Sequence, residues 1–526
     1  MKEQRLLKST AIIASLTLVS RLLGLARDIL IAGFLGAGAV SDAFFTAFKL
    51  PNVFRRMFAE GAFNAAFVPL YAKRIEADGE QAANEFASET MAVLFVTVAA
   101  LVILFELTMP WSLNIIGGGL DKSPMANGIE PYSLAVAYAW ITMPYLLFMS
   151  MAALFSGILN TRGLFGVAAA VPIILNIFMI STLMGLPYLG VGKSGLGMGL
   201  AVAVTLSGLA QMWAVLWACR KAGVKIAFRR PRLTPGVKRL IILGIPGLLS
   251  AGITQINLLV SHTIATFQNS AASWLTYADR LYQLPLGMIG IAMGVALLPA
   301  LSRRIRAGDE IGARNSFNRG IEIAAFLTLP AAVALFVMPE LLIAGLYQRG
   351  EFVAATTIQV AKALRYFALG LPAFVLIKVL TPAFFARENT KAPMIYAAVS
   401  AVVNICLGLL LFNLIGFEGL ALATSIAAWV NVICLARALF KTTHLDPDAR
   451  LLSRLPRIGL ASAVMGLGLW LALPYFPDFE NFGLIADLVL LCVICGAGGT
   501  LYILTALVLR AFGVGDIRDA FSRKRV

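Results

Sequence analysis

Fourteen apolar blocks, each long enough to cross a bilayer as a helix, recur from one end of the 526-residue chain to the other. A spanning helix needs roughly 20 residues, because each adds about 1.5 Å of rise across a hydrocarbon core about 30 Å thick. The blocks lie at about 10–36, 41–71, 88–112, 132–158, 164–189, 195–219, 239–267, 272–301, 315–347, 355–386, 392–415, 418–440, 456–475 and 484–511. Alternating hydrophobicity at strand length is absent, which excludes a β-barrel. Composition excludes a soluble enzyme: 60% of residues are hydrophobic and only 13% are charged, against about 25% charged in soluble domains. The expectation is an all-α polytopic membrane protein with fourteen transmembrane helices.

Lys2, Arg5 and Lys8 precede the apolar run from Ala11 to Val19, as in a signal peptide. No clean small-residue cleavage site follows, Arg21 interrupts the run, and thirteen further blocks come after it, so the segment reads as a retained first helix. The net charge of +16 is distributed by topology. With the N-terminus inside, the inner connections hold Lys73-Arg74, the stretch 220–239, Arg303-Arg304-Ile305-Arg306, 450–457 and the tail Arg523-Lys524-Arg525. The outer connections hold Lys122, Lys193 and Arg349. This asymmetry predicts two cytoplasmic termini and removes nucleic acid as a partner.

The two halves repeat. Phe67-Val-Pro-Leu-Tyr-Ala-Lys-Arg-Ile-Glu-Ala-Asp-Gly-Glu80 echoes Leu297-Leu-Pro-Ala-Leu-Ser-Arg-Arg-Ile-Arg-Ala-Gly-Asp-Glu310. Asn160-Thr-Arg162 echoes Asn389-Thr-Lys391, Leu175-Asn-Ile177 echoes Val403-Asn-Ile405, and Gly199-Leu-Ala-Val-Ala-Val-Thr205 echoes Gly419-Leu-Ala-Leu-Ala-Thr-Ser425. Four anchors in one order predict two six-helix bundles in the same orientation, a parallel repeat of the kind transporters use. The expected division is an N-terminal lobe over 1–219, a basic amphipathic cytoplasmic linker over 220–238, a C-terminal lobe over 239–441, and two further spans with a basic tail over 442–526. Val224, Ile226 and Phe228 among the linker's basic residues suit a segment lying on an anionic leaflet.

Ionisable side chains inside spans cost roughly 2.5–3.5 kcal/mol each at mid-membrane, so each one is a functional hypothesis. Span 1 holds Arg21, Arg27 and Asp28; span 2 holds Asp42, Lys49, Asn52, Arg55 and Arg56, with Glu60 further on; span 8 holds Asp279 and Arg280; span 10 holds Lys362, Arg365 and Lys378. For Arg56 and Lys378, snorkelling or helix-packing ion pairs are the reading. Arg21, Arg27, Arg55 and Arg280 outnumber the nearby carboxylates, and a surplus of buried guanidinium calls for an anion from outside. Planar and permanently charged, arginine suits phosphate or pyrophosphate. Asp28, Asp42 and Asp279 then read as groups that hold the arginines between substrates. Gly24, Pro51, Gly61, Pro285 and Gly287 punctuate the same spans and suit bends or close packing. His262 reads as a satisfied core residue. Cys492-Val-Ile-Cys495 lies in an apolar helix without a second ligand pair, so it reads as packing and not as metal chemistry. No metal cluster, nucleophile triad or phosphate-cradling loop occurs, and neither cofactor nor catalysis is expected.

At Ser20-Arg-Leu-Leu-Gly-Leu-Ala-Arg-Asp28, Ser41-Asp-Ala-Phe-Phe-Thr-Ala-Phe-Lys-Leu-Pro-Asn-Val-Phe-Arg-Arg56, Ala59-Glu-Gly-Ala-Phe63 and Tyr277-Ala-Asp-Arg-Leu281, the chain resembles the MurJ (MviN) family over its whole length. These are bacterial lipid II flippases of the multidrug/oligosaccharidyl-lipid/polysaccharide exporter superfamily. The resemblance implies a MATE-like fold in the inner membrane and alternating access. It implies a central cavity lined by Arg21, Arg27, Arg55 and Arg280, with Ser20, Asp28, Asp42, Lys49, Asn52, Glu60, Ser273 and Asp279 around it. It also implies an apolar groove at spans 13 and 14 for an undecaprenyl tail. The implied substrate is undecaprenyl-pyrophosphate carrying the disaccharide-pentapeptide, with membrane lipids and the cell-wall synthesis machinery as further partners. A flippase for another polyprenyl-linked oligosaccharide (O-antigen or capsule) shares the fold and is the first alternative. A cation-coupled drug antiporter would have twelve spans and an acidic site. A membrane glycosyltransferase needs a catalytic carboxylate in a large outer loop, and the stretch 113–131 offers only Asp121 and Glu130.

Overall fold

The computed structural model describes residues 2–57, 63–122, 130–442, 445–476 and 483–512. Among them, all regular secondary structure is helical. The order is α1 (Lys2–Leu35), α2 (Ala39–Arg55), α3 (Phe63–Leu107), α4 (Met109–Gly117), α5 (Pro131–Thr142), α6 (Tyr145–Thr161), α7 (Phe165–Gly185), α8 (Lys193–Lys221) and α9 (Pro235–Ala265). There follow α10 (Ala271–Arg306), α11 (Glu310–Val337), α12 (Pro339–Tyr347), α13 (Ala354–Phe385), α14 (Lys391–Ile415), α15 (Phe417–Lys441), α16 (Ala449–Ala472) and α17 (Leu484–Val508). Prolines open α5, α9 and α12, where a missing N–H costs nothing.

Among the described residues, ten helices are long and apolar enough to cross a membrane, or eleven if bent α9 is one span. α5 and α6 run together as one of these, Pro131–Thr161. Among the helices outside that count, α1, α2 and α10 carry most of the ionisable residues singled out above. Of the apolar block expected over 41–71, residues 58–62 lie outside the described residues. α2 stops at Arg55, and Phe63 already belongs to α3, which bends at Gly79 (φ 81°, ψ 174°). Near its end the first repeat anchor holds a left-handed glycine in both copies, Gly79 and, one aligned position earlier, Gly308 (φ 72°), a conformation that costs glycine little.

By packing, the chain falls into two units, Met1–Ser273 and Trp274–Val526. The boundary lies later than the one the repeat implies, because α9 packs on α3, α4 and α2 and so joins the first unit. Within the first unit, α5 and α6 press on α8 where small residues admit aromatic rings. A Cβ on Gly197 would fall 2.6 Å from the Tyr138 hydroxyl oxygen, and one on Gly208 would fall 2.6 Å from the Tyr145 ring. The corresponding contact in the second unit is α13 on α15, where Gly370 faces Ser425. The fourth repeat anchor keeps its hydrogen bond in both units. Thr205 donates to the Ile141 carbonyl, and Ser425 donates to the Tyr366 carbonyl at 2.7 Å.

The segment between α8 and α9 has no regular structure over 224–234. It lies along α3. Phe228 meets Phe95 edge-on at 5.4 Å, Ala227 N–H donates to Ser88 Oγ at 3.2 Å, and Arg229 pairs with Glu85 at 3.3 Å. Thr234 donates to Glu89 at 2.9 Å and caps α9.

Candidate functional site

Arg27 is buried on α1, 9% exposed, and its guanidinium is held on two sides. Nε and Nη2 donate to Asp28 Oδ1 at 3.0 and 2.7 Å, and Nη1 donates to Asn176 Oδ1 on α7 at 2.9 Å. Asn176 Nδ2 in turn donates to the Ser20 carbonyl at 3.0 Å. Gly24 lies beside the same amide, 3.8 Å from a would-be Cβ to Nδ2, so a small residue lets α7 approach α1. Asp28 therefore does hold an arginine, as the sequence suggested. Asn176 stood in the sequence only as a repeat anchor; a lone amide inside an apolar block was the available signal for its role. Arg21, partly buried one turn and a half earlier, makes no ion pair or side-chain hydrogen bond among the described residues.

On α2, Arg55 donates through Nε (3.0 Å) and Nη2 (2.8 Å) to Asn52 Oδ1, one turn back. Lys49 of the same helix is partly buried, as is Arg56 just past its end. Asp42 departs from expectation. It is 2% exposed and makes no ion pair among the described residues. Its carboxylate accepts instead from Ser273 N–H at 2.8 Å and from the Ser273 hydroxyl, which also contacts Ser41 Oγ at 3.0 Å. The reason is position: Ser273 stands in the first turn of α10, where backbone donors lack partners within the helix. Below it, His262 of α9 is buried and shares a hydrogen bond with Thr46 at 3.0 Å, a satisfied core residue.

Asp279 and Arg280 lie on α10 in the second unit, where Asp279 accepts from Gln283. Glu60, with Gly61, lies outside the described residues. No group of three or more His, Cys, Asp or Glu that could hold a metal occurs among the described residues.

Two further features involve α16 and α17 together with α10, α11 and α12. An apolar cavity of about 280 Å³ is lined by Pro285, Leu335, Met465, Leu469, Cys495 and Gly499, among others. Ion pairs tie α16 and α17 to the rest of the second unit. Glu322 of α11, 1% exposed, accepts from Arg319 and Arg454, and from Arg450 at 3.3 Å; Arg319 also reaches Asp448, the cap of α16. At the far end of α17, Asp487 meets Arg349 at 3.5 Å, and Arg349 also donates to the Gly345 carbonyl at 2.7 Å. Burial draws the Arg349 guanidinium below its ordinary pKa, against the pull of Asp487.

The sequence profile of the family described as "Lipid II flippase MurJ" matches residues 31–489. The "Probable lipid II flippase MurJ" of Rhizobium meliloti is 44% identical over 524 residues, which is 99% of this chain and 96% of the relative. A solved "Lipid II flippase MurJ, inward closed conformation" superposes with a TM-score of 0.79 at 26% identity, covering 95% of this chain and 99% of that one. A multidrug resistance MATE family transporter of the MOP superfamily, inward-facing, superposes at 0.68 with 17% identity, over 80% of this chain and 95% of its own, and is alike in fold.

Proposed function

Because the chain belongs to the lipid II flippase MurJ family, we propose that it moves lipid II, the undecaprenyl-pyrophosphate-linked peptidoglycan precursor, from the cytoplasmic to the outer leaflet of the bacterial inner membrane, with both its termini in the cytoplasm. The observation that carries the reading is the buried Arg27 guanidinium, which one carboxylate, that of Asp28, grips among the described residues, with further arginines in the sequence of α1, α2 and α10. Arg21, Arg27, Arg55 and Arg280 line a cationic cavity for the pyrophosphate. Ser20, Asp28, Asp42, Lys49, Asn52, Glu60, Ser273 and Asp279 stand around it and set its shape. Two-pronged contacts match phosphoryl oxygens better than a point charge does.

The tail, far longer than the headgroup, stays in lipid along the apolar cavity that α16 and α17 form with α10, α11 and α12. Rocking of the two repeats exposes the headgroup to one side and then the other, and no bond is made or broken. The protein is thus a transporter and not an enzyme, and the cell-wall synthesis machinery, which consumes lipid II outside, is its natural partner. The test is depletion in living cells. Lipid II should accumulate in the inner leaflet while the lipid carriers of other surface polysaccharides keep their distribution. Accumulation of an O-antigen or capsule precursor with lipid II unchanged would assign the protein to the alternative substrate.

A further inference from the structure

We infer that Asn176, on α7, is a positioning residue for pyrophosphate recognition: it sets the orientation of the Arg27 guanidinium and locks it to the Ser20 carbonyl of α1. The inference rests on the reading of Arg27 as a substrate contact. A guanidinium has five N–H donors. Asp28 takes one from Nε and one from Nη2, and Asn176 takes one from Nη1. One donor remains on each terminal nitrogen. That pair is what a two-pronged contact with a phosphoryl group requires. Asp28 alone fixes only one edge of the group and is the sequence neighbour of Arg27, so the two travel together on α1. Asn176 comes from another helix and fixes the opposite nitrogen. An amide is needed for this, because the group must accept from a cation and donate to a backbone carbonyl at once. Leucine matches its volume and does neither; aspartate accepts but cannot donate.

The consequence is a coupling between two residues that can be read directly. Full-length protein in detergent is titrated with undecaprenyl pyrophosphate and, separately, undecaprenyl monophosphate, for wild type, N176L, R27A and the double variant. N176L should weaken pyrophosphate binding about tenfold and shrink the preference over monophosphate. In the R27A background, N176L should change neither. Equal losses from N176L in both backgrounds, or no loss in either, would overturn the inference. R27A binding like wild type would instead sink the assignment of Arg27 as a contact, a separate failure. If N176L does not fold, N176S closes the same cycle; if neither folds, Asn176 is a structural residue and the inference falls.

Discussion

Asp42 of α2 caps α10, a helix to which it does not belong, by accepting both the backbone N–H and the hydroxyl of Ser273. The first turn of a helix presents unpartnered N–H groups and partial positive charge, so a carboxylate there satisfies a donor and the dipole together. The cap fixes the start of the helix that carries Asp279 and Arg280 six and seven residues further on. An acidic residue in an apolar span is thereby used to cap a helix start, with no arginine partner among the described residues.

Removing the cap should therefore act on stability in a graded way. D42A strands a fully buried Ser273 N–H and should cost about 0.5–2 kcal/mol. D42N keeps an acceptor and loses the charge, so its effect should be smaller. S273A keeps the backbone bond and should be mildest. Thermal unfolding of the purified proteins orders the three; a Tm for D42A equal to wild type would remove the cap from the account.

Glu322 should be among the most sensitive positions in the second unit. It is buried and bonded to Arg319, Arg450 and Arg454. Breaking a buried pair from one side leaves uncompensated charge and costs about 3–5 kcal/mol. E322A should lower both Tm and membrane abundance, and E322Q should recover part of each. If E322A accumulates normally and melts like wild type, the cluster does not hold α16 to α11.

How much of this was legible in the sequence depends on what each residue answers to. The spans follow from apolar length, and the repeat follows from four ordered anchors, one of which keeps its hydrogen bond in both copies through Thr205 and Ser425. The arginines of α1 and α2 stood out because charge in an apolar span is costly whatever surrounds it. Partners were harder. Asp28 beside Arg27 is local and was readable; Asp42 with Ser273, separated by 231 positions, was not. Asn176 and Glu322 each sit in a block that passes as apolar, and only the helix packed against each one reveals its use. The linker's contact with α3 was hidden for a similar reason: basic residues mixed with apolar ones suit a lipid surface and the acidic face of α3 equally well.

The apolar cavity can be filled without disturbing the helix. A Cβ on Gly499 meets nothing within 4 Å, and the glycine lines the cavity. G499L should fold as well as wild type or better, since replacing a mid-helix glycine gains up to about 1 kcal/mol. It should nonetheless weaken undecaprenyl pyrophosphate binding several-fold while leaving short-chain farnesyl pyrophosphate untouched. Equal effects on both chain lengths would place the tail elsewhere.

The central claim is that guanidinium forks grip the pyrophosphate, and exposure of lipid II on the far leaflet of proteoliposomes tests it most directly. The measurement compares wild type with Ala and Lys at Arg21, Arg27, Arg55 and Arg280, at matched protein content. One lost charge-assisted contact is worth roughly 1.5–3 kcal/mol, or about ten- to a hundredfold in occupancy. Ala should therefore abolish transport at most of the four positions, and Lys, which keeps the charge and loses the fork, should impair it at one or more. Full transport by every Lys variant, or losses that track only the amount of folded protein, would show that the arginines are scaffolding and contradict the account.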